Sequence, residues 1–83
     1  MLVPSVKMIE VESTNIKSIG YDEPRRRLCV EFLAAPGVVY IYAGVSLNTY
    51  RLVMSDDPVP GLDTVGKRFN SYIKAGGYKF EIK

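Results

Sequence analysis

Eighty-three residues are enough for one hydrophobic core and too few for two. Hydrophobic residues make up 47% of the chain, with six tyrosines and three phenylalanines, and charged residues only 24%, which excludes a disordered class. The net charge of +2 and a pI near 8.8 are mildly basic, below the roughly 9 of an evident nucleic-acid domain, so a cationic surface has to come from local clustering.

In chain order, residues 1–7 carry no period and contain Pro4, and are expected to be a loose arm. Met8 to Glu12 alternates apolar Ile9 and Val11 with Glu10 and Glu12, the pattern of a half-exposed strand. Ser13 to Asn15 interrupts it, and a strand resumes over Ile16–Tyr21. Asp22-Glu23-Pro24 then reads as a turn. Leu28, Val30 and Phe32 alternate with Arg27, Cys29 and Glu31, which predicts a strand over Arg27–Phe32. Ala34 to Gly37 supplies the next turn, with Gly37 free to take positive φ. Val38–Ala43 is apolar on both faces and is expected in the middle of the sheet. Tyr40 and Tyr42, two apart, share one of those faces.

After Gly44 the period changes from two to nearly four. Ser46 can cap a short helix to Met54 whose stripe is Leu47, Tyr50 and Val53 or Met54. Asp56 to Gly61 contains two prolines and a glycine and breaks it as a loop. A second helix starts at Asp63 or Thr64 and runs to Ala75, because Val65, Phe69, Tyr72 and Ile73 fall on one face. Gly76-Gly77 stops it, and alternating Tyr78, Phe80 and Ile82 suggest a returning edge strand. The expectation is a single α+β domain over residues 1–83: an antiparallel sheet of three to four strands, then two short helices packed on one face. Its core should include Leu28, Val30, Phe32, Leu47, Tyr50, Val53, Phe69 and Ile73.

The absence of histidine removes the commonest general base and the commonest metal ligand. A single cysteine can form neither an internal disulfide nor a thiolate zinc site, and Cys29 in mid-strand reads as a quiet thiol. Gly61 and Gly66 are not followed by the Lys-Ser/Thr of a phosphate loop. The sequence therefore points to a non-catalytic domain without metal or cofactor. With no signal-like segment and no apolar run near the roughly 20 residues of a membrane span, it is expected in the cytoplasm and away from membranes.

Three features are candidates for binding. Arg25, Arg26 and Arg27 place adjacent fixed charges at a strand entrance, suited to phosphate by their planar donor forks, or else opposing Asp22 and Glu23 as a solvated turn. At about 100° per residue, Lys67, Asn70, Ser71 and Lys74 fall opposite the apolar stripe of the last helix, with Arg68 on its flank. That face is cationic with no acid in it. Tyr40 and Tyr42 either stack bases from an exposed sheet or lie under the helices with hydroxyls at the rim.

The Tyr-x-Tyr of residues 40–42 resembles the centre of the KTSC domain, a short module named for the C-terminal end of some lysyl-tRNA synthetases. Val11 to Asp22 is similar to the family's opening segment and Leu28 to Phe32 to its second strand. Ala43 to Ser46 resembles the exit from its central strand, and Gly66 to Ile73 its closing helix. The likeness covers most of residues 11–80. It implies the fold, and nucleic-acid binding is the role usually suggested for the family. The expectation is a module binding RNA or single strands mostly through phosphate. The alternative is a protein-interaction module, favoured by apolar Leu2, Val3, Val6 and Met8, by the Pro-rich loop and by acidic Glu10 and Glu12.

Overall fold

Strand alternation becomes register in a five-stranded antiparallel sheet of sequential order. The computed structural model describes residues 6–55, 61, 62 and 64–82. The strands are β1 (Ile9–Glu10), β2 (Ile16–Asp22), β3 (Arg27–Phe32), β4 (Val39–Tyr42) and β5 (Phe80–Ile82), with helices α1 (Leu47–Val53) and α2 (Val65–Phe69) between the last two strands. Directly opposed residues share a face, and here the pairing sets apolar against apolar. Ile19 faces Val30 and Tyr21 faces Leu28, then Val30 faces Tyr40 and Leu28 faces Tyr42. Across β5, Tyr42 faces Phe80 and Tyr40 faces Ile82. The α+β fold is as expected, with Ile9–Glu10 and Phe80–Ile82 as short outer strands bringing the number to five.

The helices cover this apolar face. Leu28, Val30, Val53, Phe69 and Ile73 are fully buried, as read from the sequence, and Ile16, Ile19, Tyr42 and Val45 join them. Phe32, Leu47 and Tyr50 are half-buried rather than central. Tyr50 is drawn to the side by stacking on Tyr21, ring centroids 4.7 Å apart, while the Tyr21 hydroxyl donates to the Val45 carbonyl at 2.6 Å. Ser46 caps α1 by accepting from the Thr49 amide at 3.2 Å, and Thr64 caps α2 by accepting from the Lys67 amide at 3.1 Å.

The second helix is not a plain α-helix. Residues Asn70–Lys74 form a π turn, in which the Ala75 amide donates to the Asn70 carbonyl at 3.0 Å. A π turn holds one residue more than an α turn, so the residues beyond it are displaced by roughly 100° around the axis. Gly77, at φ 77°, then ends the helix.

The opposite face of the sheet is mixed. Ser18, Gly20 and Asp22 pair across to Glu31, Cys29 and Arg27. The end of the expected loose arm is fixed here: a methyl placed on Gly20 would lie 2.6 Å from Val6 Cγ1 and 2.9 Å from the Lys7 carbonyl oxygen, so only glycine lets this segment cross the strand. Residues 1–5 of the arm and the Pro-rich stretch 56–60 lie outside the described residues. Glu31 ties three elements together. It accepts from the Gly37 amide at 2.8 Å and from the Ser18 hydroxyl at 3.0 Å, with Lys17 Nζ at 3.6 Å.

This packing has two measurable consequences. Phe69→Ala should cost about 3–5 kcal/mol, as much as the whole net stability of a domain of this size, roughly 3–5 kcal/mol. Circular dichroism should find that variant largely unfolded at 25 °C. The Gly37 amide first, then the Ser18 hydroxyl, hold the Glu31 carboxyl below its ordinary range. A depressed carboxyl adds stability above its unfolded pKa, near 4.3, and loses it as pH falls through the folded value. Urea midpoints measured between about pH 6 and 3 should therefore fall less steeply for Glu31→Gln than for wild type.

Candidate nucleic-acid interface

The sequence placed candidate residues at the β2–β3 turn, on β4 and on the last helix, and the structure separates them. Arg25 pairs with Asp22, Nη1 to Oδ2 at 3.3 Å, so the turn neutralises part of its own charge. Arg26 adopts φ 53°, and its carbonyl accepts from the Val45 amide at 2.9 Å. Arg27 lies on the mixed face, opposite Asp22. Lys74 belongs to the other end of β3, its ammonium 5.5 Å from the Phe32 ring centroid. Arg27 and Phe32 bound that strand, and five residue steps of about 3.4 Å put roughly 17 Å between the two charge clusters. The arginine turn and Lys74 thus lie at opposite ends of β3.

Two expected contact residues are structural. Tyr42 is buried, its ring 5.5 Å from Phe69 in an edge-to-face contact, and burial pushes its hydroxyl pKa up. It is part of the core rather than an exposed stacking surface. Arg68 is buried as well. Its Nε donates to the Val53 carbonyl at 2.8 Å and its Nη1 to the Leu62 carbonyl at 3.0 Å, so the guanidinium fastens the end of α1 and the entry to α2. Helical phase put Arg68 on the flank of the polar face, and those carbonyls draw it inward. Lys67 and Asn70 remain on the exposed side of the helix.

What the fold does assemble is an aromatic groove where the helical cover ends. Its volume is about 560 Å³, and Phe32, Tyr40, Tyr42, Tyr78 and Phe80 line it together with Asn15 and Lys74. The rings form a ladder. Phe32 meets Tyr40 edge-on at 5.1 Å, and Phe80 lies 5.4 Å from Tyr40 and 5.3 Å from Tyr42. Lys74 is the one charged side chain of its lining among the described residues, and no carboxylate is among them. The π turn accounts for its place: the displacement carries Lys74 from the far side of the helix to the flank above Phe32. Of the sequence candidates, then, Tyr40, Tyr42 and Lys74 come together, Tyr42 from its place in the core. Phe32, Tyr78 and Phe80 were legible only as strand residues, and the register Tyr42 to Phe80 is what makes them neighbours.

Cys29 is buried, and burial pushes its thiol pKa up, away from the thiolate a nucleophile needs. Among the described residues no helix is long and apolar enough to cross a membrane. Removing the Arg68 clamp is expected to act on stability alone. Arg68→Lys, which cannot donate to both carbonyls from one planar fork, should lose roughly 1.5–3 kcal/mol, the range of a hydrogen bond to a charged group. A drop in the urea midpoint with unchanged secondary structure in the folded baseline is the expected reading.

Residues 12–60, more than half of the chain, match the KTSC domain family. The fold agrees with the crystal structure of a KTSC domain protein from Yersinia pestis, with 30% sequence identity and a TM-score of 0.75 over 93% of this chain and 96% of that one. An uncharacterised protein of Stutzerimonas stutzeri (strain A1501) is 27% identical over 75 residues, 90% of this chain and 94% of its own length. On both its sequence and its fold, the chain belongs to the KTSC domain family.

Proposed function

We propose that this domain is a non-catalytic module that binds single-stranded nucleic acid, RNA above all, at the groove between the last helix and β5. One observation carries the proposal: a groove of five aromatic rings with Lys74 at its wall and no carboxylate in its described lining. Unpaired bases present flat faces to such rings, and stacking is worth roughly 1–3 kcal/mol per base. A lysine beside the rings meets the phosphate that accompanies each base, and the missing carboxylates leave nothing to repel it. Lys67 and Asn70 continue the same helix on its exposed side. The arginine turn, at the far end of β3, can add long-range attraction without sharing the contact. The site then needs only a few phosphates, which fits a net charge of just +2. Being non-catalytic is part of the proposal, since there is no histidine and the lone thiol is pushed away from reactivity. A cytoplasmic location is proposed with it, one cysteine allowing no internal disulfide.

A protein-interaction module is the second reading. It is favoured by large apolar side chains exposed outside the groove, Ile9 and Leu33 on the strand side and Leu52 on α1. Ionic strength separates the two, because phosphate contacts weaken steeply with salt and an apolar interface does not.

Fluorescence titration of a short single-stranded RNA at two salt concentrations tests the proposal. Lys74→Glu should weaken binding several-fold and flatten the salt slope by about 0.7 for each phosphate no longer neutralised. Phe80→Leu keeps an apolar side chain and removes the ring. It should lower affinity by roughly five-fold or more, the lower bound of about 1 kcal/mol per stacked base, with the salt slope unchanged. An absence of wild-type binding at low salt and protein concentrations near 100 µM, the upper end of non-specific Kd values of about 10⁻⁴–10⁻⁶ M, would retire the nucleic-acid reading.

A further inference from the structure

Phe80 and Ile82, 51% and 57% exposed, are the most exposed large apolar side chains among the described residues, and both belong to the edge strand β5. Among the described residues this strand pairs with β4 on one side only, leaving its other side with unpaired backbone groups. Register tells which residues offer them. The Ala43 amide donates to the Lys79 carbonyl at 3.1 Å, so Lys79 turns its backbone towards β4. Antiparallel pairs alternate. Glu81 therefore also turns inward, and Phe80 and Ile82 present their amides and carbonyls outward. The edge carries no proline, and no bulge interrupts its pairing with β4.

We propose that β5 pairs antiparallel with β5 of a second copy of this chain, with Phe80 opposite Phe80 on the two-fold axis. Charge favours this register over the neighbouring one centred on Glu81. With Phe80 on the axis, Lys79 stands opposite the second copy's Glu81, and Glu81 opposite its Lys79, so two ion pairs form on the mixed face. Moving the axis to Glu81 puts Phe80 opposite Ile82 and sets Glu81 against Glu81, about 4.5–5.5 Å apart across the strands. Like charges there are unfavourable. In the Phe80-centred register the two exposed rings meet, and Ile82 comes opposite Tyr78 on the same face. A two-fold axis through such an edge stands perpendicular to the sheet. Both aromatic grooves thus open on the same side, next to one another. The pairing is short, so the association is weak, with a Kd between roughly 1 mM and 1 µM, about −4 to −8 kcal/mol.

Sedimentation equilibrium on the whole chain, run over a range of concentrations, tests the pairing through charge exchange at exposed positions. Wild type should dimerise with rising concentration. Lys79→Glu makes both cross-strand positions acidic, and Glu81→Lys makes both basic. Each variant should stay monomeric at the concentrations where wild type pairs, with unchanged circular dichroism. Mixing the two variants in equal amounts restores opposite charges across the strands, so the mixture should dimerise where neither component does. Wild type that remains monomeric up to about 1 mM, the weak limit of that Kd range, overturns the proposal. So does a dimer that persists undiminished in both single variants, or a mixture that fails to associate. The experiment contains no nucleic acid, and its outcome is independent of the reading of the groove.

Discussion

The Phe69 ring is the contact on which the remaining architecture depends. It is fully buried and makes edge-to-face contacts with Phe32 at 5.7 Å and Tyr42 at 5.5 Å, tying the last helix to β3 and β4 at once. Fixing the ring requires fixing the helix, and two polar devices do so. Thr64 satisfies an amide of the first turn, and Arg68 holds the carbonyls of Val53 and Leu62. With Phe69 seated, the π turn that starts at the next residue sends Lys74 over Phe32. Phe32 and Tyr42, two of the rings lining the groove, are thus both in contact with the ring that anchors the helix.

The elements were legible where a local rule governs them. Alternation gave β3, a short run apolar on both faces gave β4, hydroxyls at Ser46 and Thr64 gave the helix starts, and Gly76-Gly77 gave the end. What the sequence could not hold is long-range geometry. Tyr40 and Tyr42 do share a face, as their spacing requires, yet one is half-buried and the other buried, because only Tyr42 lies under Phe69. The phase of a regular helix misplaces Lys74, since nothing in Asn70 to Lys74 announces a π turn. The same wheel sets Arg68 beside the cationic face, whereas carbonyls from two other segments capture it inside. Likewise, the arginine turn and Lys74 lie at opposite ends of β3, a separation that the charges alone do not announce.

Burial across the sheet explains why the groove exists at all. Following one row of paired residues outward, Leu28 is 0% exposed, Tyr42 4% and Phe80 51%. The helical cover is centred on β2 and β3 and ends above β4. On the opposite flank the same taper runs from buried Ile19 to exposed Ile9. Two short helices cannot roof five strands, so both edges of the apolar face are left open, and their chemistry differs. The β1 edge offers the aliphatic Ile9, with Glu10 turned to the mixed face by its pairing with Ser18. At the β5 edge lie the aromatic ladder and Lys74, with the Lys79 and Glu81 charges turned to the other face. The incomplete roof thus leaves the aromatic ladder open along one side of the sheet, bordered by the strand that forms its edge.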